Sequence, residues 1–294
     1  MPYAEGEGAR LFYEDSGRGT PIVFVHEFAG DLRSWESQVR AFSRLHRCIT
    51  FNARGYPPSD VPQDPAAYSQ MVAADDIGAV MAALDLEAAH LVGCSMGSFA
   101  ALHFALRQPR AAKSLVLVGC GYGEKPEQRD AWRADATRLA ELFEGAGSTV
   151  AAGEYAVGPY RLQFQAKDPR GWAEFASRLA SHSPVGAAMT LRGVQQARPP
   201  LHDFQAELQR METPVLLIAG DEDEPSLEVN LWLKRVIPRC GLAILPRTGH
   251  TVNLEEPDHF NSLVQAFVAA VEAGHWEPRD PRTRGESAVF QHDE

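Results

Sequence analysis

Ser95 is the residue around which chemistry can be built. It lies in Gly93-Cys94-Ser95-Met96-Gly97, a G-x-S-x-G string set between two apolar runs, Ala88 to Val92 and Phe99 to Leu106. The first run reads as a short buried strand and the second as a buried helix. The serine therefore falls on the sharp turn that joins them, and its hydroxyl projects from the sheet edge. Glycines on either side leave space where side chains would strike the neighbouring strand and helix. A serine hydroxyl is a poor nucleophile at neutral pH unless a base removes its proton and a carboxylate orients that base. His250, in Arg247-Thr248-Gly249-His250, is the expected base. Of the ten histidines it alone occupies a strand-end loop near the C-terminus. The carboxylate is expected from Gly220-Asp221-Glu222-Asp223-Glu224, where most of the acids read as a solvated loop and one would hold His250. Acyl transfer also needs two N–H groups converging on the developing oxyanion. Met96, directly after the serine and at a helix N-terminus, should give one. Phe28, in the loop His26-Glu27-Phe28-Ala29-Gly30, should give the other.

These residues work together only if a sheet brings its strand ends to one edge, and the pattern supplies such a sheet. Ala9 to Asp15 alternates as an edge strand or hairpin arm, and Pro21 to His26 is a β-branched run buried on both faces. Asp31 is placed to cap a helix carrying Trp35, Val39 and Phe42. Cys48 to Phe51 is the next strand, and a helix from Ser69 to Leu84 leads into the strand before Ser95. Ser114 to Val118, Pro214 to Ala219 and Leu242 to Leu245 read as further strands, with helices near Leu227 to Val236 and Pro257 to Glu272. Alternating strands and helices predict an α/β fold with a doubly wound, mostly parallel sheet. Tyr122 to Met211 breaks the alternation. It carries helical stripes (Trp132, Ala136, Leu139, Phe143; then Trp172, Phe175, Ala176, Leu179) divided by prolines, and no strand. An insertion arising at the C-terminal edge of such a sheet is expected to lie over the site. The domains are thus 1–121 with 212–275 as core, 122–211 as a helical cap, and 276–294 as a loosely attached or disordered tail.

A chain of 294 residues that is 45% hydrophobic and 23% charged suits a soluble globular protein of one large α/β domain or two smaller ones. Its net charge of −11 argues against nucleic acid or an anionic membrane as partner, and leaves a small-molecule substrate. Oligomeric state is not legible. Cys48, Cys94, Cys120 and Cys240 form no C-x-x-C pair and read as buried free thiols of a reducing compartment. With no secretion signal in Met1 to Gly6 and no apolar run long enough to span a bilayer, a cytoplasmic location is expected. Metal-ligand spacing, a P-loop lysine and G-x-G-x-x-G are all missing, so neither a metal nor a nucleotide cofactor is expected.

Over about the first 275 residues the chain resembles the α/β-hydrolase family. The matching features are the strand and His26 loop, Arg54-Gly55, Gly93 to Gly97, the Gly220 acidic loop, and His250 with Asn253-Leu254-Glu255-Glu256-Pro257. The order serine, acid, histidine is also the family's. The resemblance implies that the acid is Asp223, three residues after the loop glycine, and that a helical cap covers the site. It is closest to the capped esterase, haloperoxidase-like and C–C hydrolase branches. Serine at the elbow argues against branches that need an aspartate nucleophile. The expected function is hydrolysis of a small carboxylic ester, lactone or thioester through an acyl-enzyme. The alternatives are C–C bond hydrolysis of a β-diketone-like substrate, or a small-molecule receptor with slow turnover. The sequence departs from the family where Glu27 follows His26 in place of glycine, and where Ser98 follows Gly97. A carboxylate aimed into the oxyanion hole would repel the intermediate by roughly 4 kcal/mol at 4 Å and an effective dielectric of 20. Glu27 is therefore expected to turn onto a basic group or backbone donors and brace its loop. The alternative puts it at the pocket rim, selecting cationic or hydroxylated substrates. Trp172 is expected to bind substrate from the cap and set its size.

Overall fold

The computed structural model describes residues 2–121 and 128–284. The start of the expected cap at 122–127 and the last part of the expected tail lie outside them. The chain forms strands β1 (Tyr3–Gly6), β2 (Ala9–Gly17), β3 (Pro21–Val25), β4 (Arg47–Phe51), β5 (Ala89–Cys94), β6 (Ala112–Val118), β7 (Val215–Gly220) and β8 (Cys240–Leu245). They make one sheet in the order β1-β2-β4-β3-β5-β6-β7-β8. The β1–β2 and β2–β4 pairs are antiparallel and all the others parallel. This is the doubly wound, mostly parallel sheet that the sequence predicts, with the added edge strand β1 making β2 the inner arm of a hairpin.

Alternate strand residues feed two cores. On β3, Val23 and Val25 join one buried cluster while Ile22 and Phe24 join the other, as the two-residue period requires. Helices α1 (Glu36–Phe42), α2 (Gln70–Ala83) and α3 (Met96–Arg107) precede the insertion. α1 adds Phe42 to the Ile22 side, while α2 and α3 add Ile77, Val80 and Phe99 to the Val23 side. Asp31 caps a 3-10 turn, Leu32–Trp35, rather than the α-helix itself. Its Oδ1 accepts the Arg33 N–H at 2.8 Å, which uses up its capping capacity one turn early.

Between β6 and β7 the described residues are helical. α4 (Arg129–Tyr155) is broken at Gly147, which takes φ 81° and ψ 170°. α5 (Leu162–Lys167), α6 (Pro169–Ala180), α7 (Pro184–Thr190) and α8 (Gln205–Gln209) follow, and prolines open α6 and α7. Phe143, Phe164, Phe175, Leu179 and Leu191 of this insertion share a third buried cluster with Phe28, Tyr56 and Met96 of the core. The insertion is thus packed onto the loops beside Ser95. α9 (Glu224–Val236), α10 (Val252–Glu255) and α11 (Pro257–Glu272) complete the fold, with Phe260, Val264 and Phe267 of α11 filling the Ile22 side.

Trp276 does not behave as part of a loose tail. Its ring meets Phe267 at 4.7 Å and its Nε1 donates to the Arg239 carbonyl at 3.0 Å, so the chain stays docked past α11. Among the described residues no helix is long and apolar enough to cross a membrane. All four cysteines are buried.

Candidate active site

Ser95 connects β5 to α3 with φ 50° and ψ −112°, a positive φ that few non-glycine residues adopt. The turn survives because nothing crowds it: a Cβ at Gly97 would sit 2.1 Å from the Val25 carbonyl oxygen. The backbone also holds it, with the Ser95 N–H donating to the Val118 carbonyl at 2.7 Å. Ser98, the second departure from the family pattern, is absorbed locally. Its hydroxyl lies 2.8 Å from the Gly93 carbonyl and 2.9 Å from the Val118 N–H, pinning both strands that flank the turn. Burial pushes the thiol of Cys94, beside the serine, well above its ordinary pKa.

His250 follows β8 and is 2% exposed, and its Nδ1 lies 2.9 Å from Oδ2 of the fully buried Asp223. A carboxylate only accepts, so Nδ1 carries the proton and the ring's lone pair is on Nε2. Asp223 Oδ2 also accepts the Ser226 hydroxyl at 2.7 Å. Asp221 does something else: its Oδ1 accepts the Thr248 N–H at 3.2 Å and ties the two loops together. Glu255 braces the histidine loop from the other side. Its carboxylate accepts the Gly249 N–H at 2.8 Å and the Thr251 N–H at 3.2 Å, and burial raises its pKa.

The loop after β3 is fixed by His26. Its Nδ1 sits 2.7 Å from the Glu27 carbonyl, which only accepts, and its Nε2 accepts the Ala53 N–H at 3.0 Å. The ring is therefore the neutral Nδ1–H tautomer, and burial lowers its pKa to about 4. The Glu27 carbonyl also accepts the Gly30 N–H at 3.2 Å. With that carbonyl held inward, the Phe28 N–H across the same trans peptide points the opposite way. Neither the Phe28 nor the Met96 N–H has a hydrogen-bond partner among the described residues. The Tyr56 hydroxyl donates to the Phe28 carbonyl at 2.8 Å and steadies the next peptide.

A cavity of about 290 Å³ brings Ser95, His250 and Phe28 together under the insertion, with Leu139, Leu142 and Leu191 as apolar wall. Met96 is not among the residues that line it, and its side chain belongs to a buried cluster. Two expectations for the cavity are corrected. Trp172 does not line it: its indole donates to the Ala156 carbonyl at 2.8 Å and packs within the insertion. Glu27 does not reach it either, because Arg161 holds its carboxylate in a two-pronged pair at 3.0 and 2.6 Å. The bracing arrangement expected for Glu27 is the one its contacts display.

Sequence reasoning misses Arg161 and Gly119, and it includes Glu255 only within a matching string, with no role of its own. At Gly119, φ is 56° and a Cβ would lie 2.9 Å from His250 Nδ1, so only a glycine leaves room for the ring. The available signal was a glycine directly after the strand run ending at Val118. Among the described residues no group of three or more His, Cys, Asp or Glu is placed to hold a metal ion.

The sequence model described as the alpha/beta hydrolase fold matches residues 20–257. The chain belongs to the alpha/beta hydrolase fold family. Among curated members it is similar to 2-hydroxymuconate semialdehyde hydrolase of a Pseudomonas species, at 29% identity over 90% of this chain and 93% of that one. It is also similar to 3-oxoadipate enol-lactonase 1 of Acinetobacter baylyi, at 25% identity over 85% and 89%. Among solved structures of this fold, a thermophilic esterase from Thermogutta terrifontis superposes with a TM-score of 0.79. It is 26% identical, with 90% of this chain and 94% of that one covered. Within this alpha/beta hydrolase the buried imidazoles His26, His90 and His103 share a property with a measurable result. Burial lowers each to about 4 from an ordinary 6.5. Between those values the unfolded chain binds protons that the folded one refuses, so stability is lost as pH falls through this window. For His26 the loss is on the order of 3 kcal/mol. Thermal denaturation should show Tm declining steadily from pH 6.5 to pH 4, and a flat profile there would contradict these assignments.

Proposed function

We propose that the protein is a serine hydrolase that cleaves small carboxylic esters, lactones or thioesters through an acyl-enzyme. One observation carries this reading. A positive-φ serine, a histidine whose Nδ1 is committed to a buried aspartate, and a partnerless backbone N–H at Phe28 converge on one apolar cavity. In the proposed reaction Ser95 Oγ attacks the carbonyl carbon while His250 Nε2 takes its proton. Asp223 orients the ring and offsets the positive charge it gains. The carbonyl electrons move onto an oxyanion that the Phe28 and Met96 N–H groups receive. Collapse expels the alcohol, thiol or lactone oxygen, which takes the proton from His250. Water then adds with His250 as base, and the acid leaves with Ser95 restored. No step calls for a cofactor. The described residues 128–211 act as the cap over the bound small molecule, and the buried thiols of Cys48, Cys94 and Cys240 favour a cytoplasmic setting.

A fluorophosphonate probe together with a panel of p-nitrophenyl esters and simple lactones tests the reading. Stoichiometric labelling of Ser95 with repeated turnover is expected, and a wild-type protein that neither labels nor turns over would refute it. The same panel examines the cap. Leu191 is buried against the cavity, so Leu191→Ala should raise kcat/KM for octanoate relative to butyrate about tenfold. Trp172→Ala should leave that ratio in place, because Trp172 does not line the cavity. A second reading, implied by the resemblance to the C–C hydrolase branch of the family, is C–C bond hydrolysis of a β-diketone-like substrate. Release of a carboxylic acid from a β-diketone faster than from any ester would select it.

A further inference from the structure

The short turn Pro159–Arg161 touches both loops that flank Ser95. Its Tyr160 carbonyl accepts the backbone N–H of His250 at 3.1 Å. One residue later, Arg161 sends Nη1 to Glu27 Oε1 at 3.0 Å and Nη2 to Glu27 Oε2 at 2.6 Å. The two side chains are only 4% and 3% exposed. The guanidinium is otherwise enclosed by the insertion, lying 5.0 Å from the Phe175 ring and 5.3 Å from the Tyr155 ring, with Nη2 3.2 Å from the Tyr155 hydroxyl. A cation seated wholly in the insertion is thus paired with a carboxylate seated wholly in the core.

That carboxylate belongs to the residue whose carbonyl begins the Glu27–Phe28 peptide. Without Arg161, Glu27 would be a buried charge with no counter-ion, a state that drives side chain and backbone toward new donors. Movement of the Glu27 Cα would turn the Phe28 N–H away from the cavity. Resting on the hydrolase reading above, we propose that Arg161 is a positioning residue for the reaction. Through Glu27 it fixes the Phe28 amide, so the oxyanion donors come into register only while the insertion is seated over Ser95. Arg161 also borders the cavity, but its Nη1 and Nη2 are engaged by Glu27 and the Tyr155 hydroxyl.

The test uses the full chain with p-nitrophenyl butyrate as substrate. Butylboronic acid serves as a mimic of the tetrahedral state and butyrate as a ligand that resembles the ground state. Arg161→Gln should lower kcat about a hundredfold while KM changes less than about threefold. Its affinity for the boronic acid should fall by a similar factor and its affinity for butyrate should hardly move. Arg161→Lys keeps the charge but loses the fork, and should fall between that variant and wild type. Combining Glu27→Gln with Arg161→Gln removes both charges and should recover part of the lost kcat. A merely structural contact would lower Tm or the active fraction without changing the ratio of boronic acid to butyrate affinity. An unchanged ratio in every variant therefore overturns the proposal. So does a loss confined to the carboxylate-bearing mono-p-nitrophenyl succinate, which would make Arg161 an anion-binding residue. If Arg161→Gln does not fold, the same ratio measured on Arg161→Lys decides. Failure of the hydrolase reading is seen separately, as wild-type protein with no Ser95-dependent turnover.

Discussion

Replacing Ser95 by alanine should abolish turnover of any ester the protein accepts, by about 10⁵-fold to 10⁶-fold in kcat. Cys94, the neighbouring thiol, is buried and its pKa is pushed up by that burial, so it is not set to take over the attack. The Cβ of alanine fits where that of serine sits, so melting temperature should stay near the wild-type value or rise, as the strained turn loses a polar group it must keep oriented. The measurement is burst and steady-state kinetics with p-nitrophenyl butyrate beside a thermal melt. Residual activity within a hundredfold of wild type would place the nucleophile elsewhere.

Asp223→Asn should cost about 10⁴-fold in kcat, because an amide can donate to Nδ1 and so stabilise the wrong imidazole tautomer. Asp223 is fully buried and already receives the Ser226 hydroxyl, leaving no solvent to repair the error. Asp221→Asn should behave differently. Its Oδ1 accepts a backbone N–H from Thr248, a bond an asparagine oxygen can keep, so kcat should stay within about threefold. The two single variants measured side by side decide between the acids, and a reversal of their effects would exchange their roles.

The parts of this arrangement that were legible are those with a local physical cause. The elbow is readable because a strand run, two glycines and a helix run lie within a few residues of Ser95. The placement of His250 is readable because it is the histidine that follows the last strand. Asp223 was distinguishable from Asp221 only through family resemblance, since both follow Gly220 within three residues and one sequence does not show which side chain turns inward. For Glu27 the charge argument required a neutralising partner, but Arg161 stands 134 residues away on a separate element, beyond any periodicity. Gly119 was hidden for a related reason: its constraint is an imidazole delivered by another loop. Trp172 misled because an aromatic on an amphipathic helix looks alike whether it meets substrate or, as here, a carbonyl of its own segment. Trp276 was read as tail because the residues after it are polar and proline-rich, while its own docking depends on Arg239 and Phe267.

The pair Glu27–Arg161 also carries a history. Both charges are buried, so a chain that changed either one alone would pass through a form with an isolated ion in its interior. Substitution at the two positions is therefore coupled: both must change nearly together, or the chain must pass through the form with the isolated ion. The core loop and the inserted segment, which the layout of the chain would let diverge separately, are bound into one unit of descent at this point. A graft that brings a foreign inserted segment onto this core inherits the same condition, and it has to arrive with a cation at the place of Arg161 or with the glutamate already gone.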